Sequence, residues 1–193
     1  MPPGARKTPS ANACMDNHSL SCIEYARRFR SNTEQPSMNV KIERLPLLRV
    51  ATVRAYGPYE KSGPEAWQML TPWIARHNIL TAKTMFLGFC HDDPNITASG
   101  RIRYDAAVTL PEGFIPDDFV HTVEVPSLEY AVTVHKGPYA TLSHVWASLF
   151  WDWLPGSSRR PADAPLMEQY LSDPYLDSEE DLVTRLYLPL TTI

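Results

Sequence analysis

The feature that most constrains this chain is a self-similarity at one spacing, 80 residues. Pro46 falls on Pro126, Leu48 on Leu128, Ala51 on Ala131 and Gly57-Pro58-Tyr59 on Gly137-Pro138-Tyr139. The same offset carries Trp73 to Trp153, Asp93-Pro94 to Asp173-Pro174 and Leu110 to Leu190, with no insertion between the landmarks. Length alone leaves one domain or two small ones open. A period of this kind means one structural unit built twice. It predicts repeats over about 39–112 and 119–193 that share a single domain.

Each repeat opens with a β-rich run, 47–56 or 128–136, that stops at Gly-Pro-Tyr because proline has no N–H to give a sheet ladder. A helical run follows. Ala66, Met69, Leu70, Trp73 and Ile74 in the first repeat, and Leu142, Val145, Trp146, Leu149 and Trp153 in the second, fall at spacings of three and four. Pro64 suits a first helical turn, whereas Pro72 is expected to kink or break the helix. Two further runs close each unit, 85–91 and 103–110 in one, 166–171 and 183–190 in the other. The fold class is therefore α+β: two tandem β-α-β-β repeats forming an antiparallel-rich sheet, with both helices on one face and a cleft at the internal pseudo-twofold axis. Residues 1–38 mix Pro, Ser, Asn and Arg without apolar periodicity and read as a mostly disordered tail.

Charge and cysteines exclude several classes. The net charge of -4 gives no diffuse positive field for nucleic-acid phosphates, so direct nucleic-acid binding is not expected. Cys14, Cys22 and Cys90 are three cysteines without disulfide or zinc spacing, and the six histidines are scattered. No metal and no cofactor are expected. No window approaches the roughly 18–20 apolar residues of a membrane span, and no secretion signal is visible, which predicts a cytoplasmic protein. Duplication supplies its own twofold partner, so a monomer is expected.

Several runs carry a family resemblance. They are Gly137-Pro138-Tyr139, Trp153-Leu154-Pro155, Pro165-Leu166-Met167-Glu168-Gln169-Tyr170-Leu171 with Asp173-Pro174, and Leu186-Tyr187-Leu188-Pro189-Leu190, supported by Arg103-Tyr104-Asp105-Ala106-Ala107-Val108 in the first repeat. In this order they resemble the GyrI-like (gyrase-inhibitor-like) domains. The resemblance implies a duplicated fold with a small-molecule cleft, used as the effector sensor of AraC-type and MerR-type transcription regulators. Relatives implied by it include a gyrase inhibitor, which binds a protein partner, and hydrolases of cyclopropane-bearing toxins. Residues 19–30 are similar to the end of an AraC-type DNA-binding domain, which would make the tail a remnant of one.

The cleft needs aromatic walls and a few convergent polar groups. Trp73 and Trp153 read as core, and Trp146 is the tryptophan assigned to the cleft. Strand alternation over 166–171 puts Glu168 and Tyr170 on one face. A carboxylate beside an aromatic ring suits an organic cation, and the competing reading is a solvated edge glutamate. Tyr104 and Arg185 are expected nearby on the paired strands. Arg185 stands where many relatives carry an acidic residue, and as the equivalent of Asp105 it is expected either to pair with it at the axis or to lie on the surface. The ligand set is thus Glu168, Tyr170, Trp146, Tyr104 and Arg185. The reading favours binding of aromatic or amphipathic, possibly cationic ligands over catalysis; an enzyme on this scaffold would use Glu168, Tyr170 and Tyr104.

Overall fold

The structure, a computed structural model, describes residues 38–191. The expected tail, the similarity over 19–30, and Cys14 and Cys22 lie outside the described residues.

Eight strands form one antiparallel sheet: β1 (Lys41–Arg44), β2 (Leu48–Tyr56), β3 (Phe86–Cys90), β4 (Arg103–Thr109), β5 (His121–Val125), β6 (Glu129–Lys136), β7 (Leu166–Tyr170) and β8 (Val183–Leu190), in the order β1-β6-β8-β7-β3-β4-β2-β5. Two helices accompany them, α1 (Tyr59–His77) and α2 (Leu142–Ser148). Outward from the central β3–β7 pair, one side runs β4, β2, β5 and the other β8, β6, β1. Strands 80 residues apart therefore sit equally far from the centre. The short edge strands β1 and β5 were not anticipated, because four or five mostly exposed residues rich in charge carry little periodicity. β1 pairs with β6 and β5 with β2, so each edge strand lies against a strand distant in sequence and not against the one that follows it.

Gly57 (φ 128°) and Gly137 (φ 135°) end β2 and β6 in a conformation that residues with a Cβ rarely adopt. Their N–H groups donate to Ile102 O and Leu182 O, both at 2.9 Å. α1 then buries Ser62, Gly63, Ala66, Leu70, Trp73 and Ile74 against β2 and β4. Pro72 neither ends nor splits this helix, so the break, one of the two outcomes expected from sequence, does not occur. Pro72 and Gln68 are both exposed, so the carbonyl that loses its partner faces water. The second helical run departs the other way: α2 stops at Ser148 and continues as a π turn over Leu149–Trp153, with only Leu142 and Leu149 buried. α2 is therefore the less deeply seated helix.

The face away from the helices has its own core, made of Val50, Leu87, Phe89, Ala107, Val125, Tyr130, Val132, Met167 and Tyr187. Residues of β2 and β6 share it although four strands, β8, β7, β3 and β4, stand between them in the sheet order, so the sheet curls into a half-barrel. Leu45 N donates to Leu128 O at 3.1 Å and Ser127 Oγ to Leu45 O at 2.8 Å, tying the two flanks.

Asp105 and Arg185 do not pair. Asp105 takes a fork from Arg54, Nε to Oδ1 at 2.6 Å and Nη2 to Oδ2 at 2.7 Å, and sits 2.8 Å from His91 Nε2. Arg185 bonds Glu43 at 2.6 Å and lies over the Tyr187 ring. Each finds a cross-strand or edge-strand partner before reaching the axis. Burial opposes the charge of Asp105, but the bonds from Arg54 and His91 outweigh it and hold its pKa at about 2. Asp105→Asn is expected to cost about 1–3 kcal/mol at neutral pH, the scale of charge-assisted bonds lost from a buried site. A depressed carboxylate stabilises the fold above its unfolded pKa, so that cost should fade between about pH 4 and pH 2. Urea titrations of both proteins across that window measure it.

Candidate functional site

The cross-strand register places a cluster on the helix face at the sheet centre. β3 and β7 pair Gly88 with Glu168, and these two residues are also 80 apart. They mark the midpoint of the symmetric strand order. Alternation along β7 puts Tyr170 on the same face as Glu168, as the sequence predicts, with Trp146 reaching down from α2 and Trp67 from α1.

Glu168 is 6% exposed. Trp146 Nε1 donates to its Oε1 at 2.9 Å and the Tyr170 hydroxyl to its Oε2 at 2.7 Å. The Tyr170 and Tyr104 hydroxyls are 2.8 Å apart, and Trp67 Nε1 donates to the Tyr104 hydroxyl at 3.1 Å. Indole N–H groups only donate and a carboxylate only accepts, so one hydrogen arrangement satisfies every member. Trp67 donates to Tyr104, Tyr104 to Tyr170, and Tyr170 to Glu168. All these dipoles point toward the carboxylate.

The walls are aromatic. Trp67 meets Tyr170 edge-on at 5.7 Å between centroids, Tyr139 meets it at 5.4 Å, and Tyr59 meets Tyr104 at 6.2 Å. Gly88 provides the floor: a Cβ there would lie 2.3 Å from the Tyr104 hydroxyl oxygen and 2.7 Å from that of Tyr170.

Burial raises the pKa of Glu168, and the bonds from Trp146 and Tyr170 pull it back only in part. Burial also pushes Tyr104, Tyr170 and Cys90 upward, and the neighbouring Glu168 charge adds to each. Tyr139 is pushed up to about 12 by the same two effects. None of the ion pairs among the described residues includes Glu168. A buried carboxylate bonded by neutral donors, with aromatic faces around it, is set up to receive positive charge.

Four of the five residues expected from sequence, Glu168, Tyr170, Trp146 and Tyr104, meet in this one network. Arg185 does not. It is paired with Gln169 across β7–β8, and alternation sends both side chains to the face opposite Glu168. Sequence reasoning missed Trp67 and Gly88. Trp67 lies one turn before Leu70 and two before Ile74 on the apolar stripe, and an isolated glycine inside the run 86–90 is the usual sign of a close approach to backbone. Trp73 is core, as expected, with its Nε1 donating to Asp117 at 2.8 Å. Among the described residues no cluster of three or more His, Cys, Asp or Glu could hold a metal ion, and no helix is long and apolar enough to cross a membrane.

The curled eight-stranded antiparallel sheet carrying two helices is a fold shared with solved structures. The C-terminal domain of EcmrR aligns with 81% of this chain and 99% of its own length, at TM-score 0.67 and 15% identity. A structure of SAV2435 bound to tetraphenylphosphonium aligns over 80% of this chain and 94% of that one, at TM-score 0.57 and 16% identity. In sequence, a DNA gyrase inhibitor of Serratia proteamaculans is 29% identical over 149 residues, covering 75% of this chain and 94% of the relative. The model of the GyrI-like small molecule binding domain matches residues 38–191, and the chain belongs to that family.

Proposed function

We propose that this domain binds hydrophobic organic cations in the cleft that α1 and α2 form over the β3–β7 centre, and that it serves as the effector sensor of a transcriptional response. The observation that carries the proposal is the buried carboxylate of Glu168 between Trp146 and Tyr170, which forms no ion pair among the described residues. We also take the chain to be two tandem β-α-β-β units with the cleft on their pseudo-twofold axis. The matching turns at Gly57 and Gly137, and the pairing of Gly88 with Glu168, support that reading. The tetraphenylphosphonium bound to SAV2435, a protein of the same fold, makes that cation a reasonable first ligand.

A hydrolase using Glu168, Tyr170 and Tyr104 has less support. A general acid or base needs a free position toward a reacting atom or a water. Both Glu168 oxygens already accept bonds from rigid aromatic side chains.

Calorimetric titration with tetraphenylphosphonium at pH 8 tests the proposal. Saturable one-to-one binding is expected, weaker by roughly tenfold to a hundredfold in Glu168→Gln, the scale of losing an interaction with a charged group. Equal affinity in both proteins, or no saturable binding, would remove the assignment. The ligand should also raise the melting temperature of the wild type by mass action.

A further inference from the structure

On the half of the helix face that belongs to β6, β7 and β8, a polar row runs outward from Tyr170 through two residues, Thr184 and His135, that the network around Glu168 does not use. Register places Tyr170 opposite Thr184 and Thr184 opposite His135, so the three side chains share one face in one row across β7, β8 and β6. His135 Nε2 lies 2.9 Å from Thr141 Oγ1, beyond the end of β6. Thr184 is fully buried, and its hydroxyl has no hydrogen-bond partner among the described residues. Such a group costs stability unless something pairs with it. The residue 80 positions earlier is Tyr104, whose hydroxyl is fully engaged by Trp67 and Tyr170.

The two ends of the cleft also differ in how they close. Tyr59 latches the first end, its hydroxyl donating to Asp92 O and accepting from Asp92 N. Tyr139 stands at the matching place of the second end. It is 36% exposed, touches Tyr170 edge-on, and has no such latch among the described residues. The orphan hydroxyl lies at the end without the latch.

We propose that Thr184 is a specificity-determining subsite of the cleft, one that takes a hydroxyl, carbonyl or amide of a ligand whose cationic centre rests against Glu168 and whose polar end lies beneath Tyr139. This rests on the cation-binding reading of the cleft. Glu168 and Thr184 are diagonal neighbours on adjacent strands, a separation of about 7–8 Å between backbone positions. A para oxygen one benzene ring from the phosphorus of a tetraarylphosphonium falls somewhat short of that separation, and the reach of the threonine side chain covers the remainder. The ligand class implied is an amphipathic aromatic cation with one hydrogen-bonding group a ring-length from its charge. A bare hydrocarbon cation would leave the Thr184 hydroxyl unpaired.

The experiment compares tetraphenylphosphonium with (4-hydroxyphenyl)triphenylphosphonium on wild type, Thr184→Val and Thr184→Ser. Wild type is expected to prefer the hydroxylated cation by roughly two- to tenfold, the scale of one neutral hydrogen bond. Thr184→Val keeps the shape and removes the hydroxyl, so the preference should fall to about one, while Thr184→Ser should keep it. Thr184→Val should also melt higher than wild type without ligand, because it removes an unpaired buried polar group. A wild-type preference of one, or a preference that survives in Thr184→Val, overturns the subsite and leaves the cleft standing. Failure of both cations to bind wild type overturns the cleft reading and the subsite with it.

Discussion

Replacing Gly88 with alanine should nearly abolish tetraphenylphosphonium binding and lower the melting temperature, although the change adds a single methyl group. The new Cβ would stand 2.3 Å from the Tyr104 hydroxyl oxygen, 2.9 Å from its ring carbon and 2.7 Å from the Tyr170 hydroxyl. Neither tyrosine has an easy way out. Tyr104 is 3% exposed and held by Trp67, and Tyr170 is held by Glu168 and by the rings of Trp67 and Tyr139. Overpacking of this kind costs about 1–3 kcal/mol, and parting the two hydroxyls removes another bond worth about 1 kcal/mol. For a domain of this size each kcal/mol lowers the melting temperature by about 2–4 °C. Gly63 supplies the control. It lies inside α1, and a Cβ there meets nothing within 4 Å, so Gly63→Ala should stabilise by about 0.5–1 kcal/mol through helix propensity. Calorimetric melting and titration of both variants read the two signs side by side. A Gly88→Ala protein that melts and binds like wild type would mean that the tyrosine hydroxyls do not depend on this floor.

What the sequence made legible follows from where information is periodic. An 80-residue offset with no insertion preserved the order of the long strands and of both helices, and alternation alone placed Glu168 and Tyr170 on one face. The edge strands β1 and β5 escaped because short, exposed segments carry no apolar pattern and are defined by their partners, β6 and β2. Arg185 was misplaced because the repeat gives its position along β8 but not the partner its side chain will choose. That partner, Glu43, is 142 residues away on β1, a strand the periodicity did not reveal. Gly88 was missed for a related reason. Its role depends on two tyrosines from other strands that meet only after β4, β3 and β7 are aligned. Pro72 does not break α1 because proline weakens a helix through one carbonyl, and here that carbonyl belongs to exposed Gln68.

Glu168→Gln should move stability and affinity in opposite directions as pH changes. Burial raises the Glu168 pKa above its unfolded value. A carboxyl group with a raised folded pKa favours the fold fully below its unfolded pKa, near 4.3, and that contribution is lost as pH rises through the folded pKa. The wild type should therefore lose ground to Glu168→Gln as pH rises above about 4, by at most about 1.4 kcal/mol per pH unit for a single titrating group. Glutamine offers one acceptor oxygen to two donors, Trp146 and the relay that ends at Tyr170, which sets a constant offset between the proteins but adds no slope. Over the same range the affinity of the wild type for tetraphenylphosphonium should rise, because the ionised carboxylate is the form that attracts the cation, while the affinity of the variant should stay flat. Parallel urea titrations and calorimetric binding curves at pH 4, 6 and 8 give both slopes. A stability gap and a wild-type affinity that are both independent of pH would show that Glu168 does not change charge in this range, and the cation assignment would go with it.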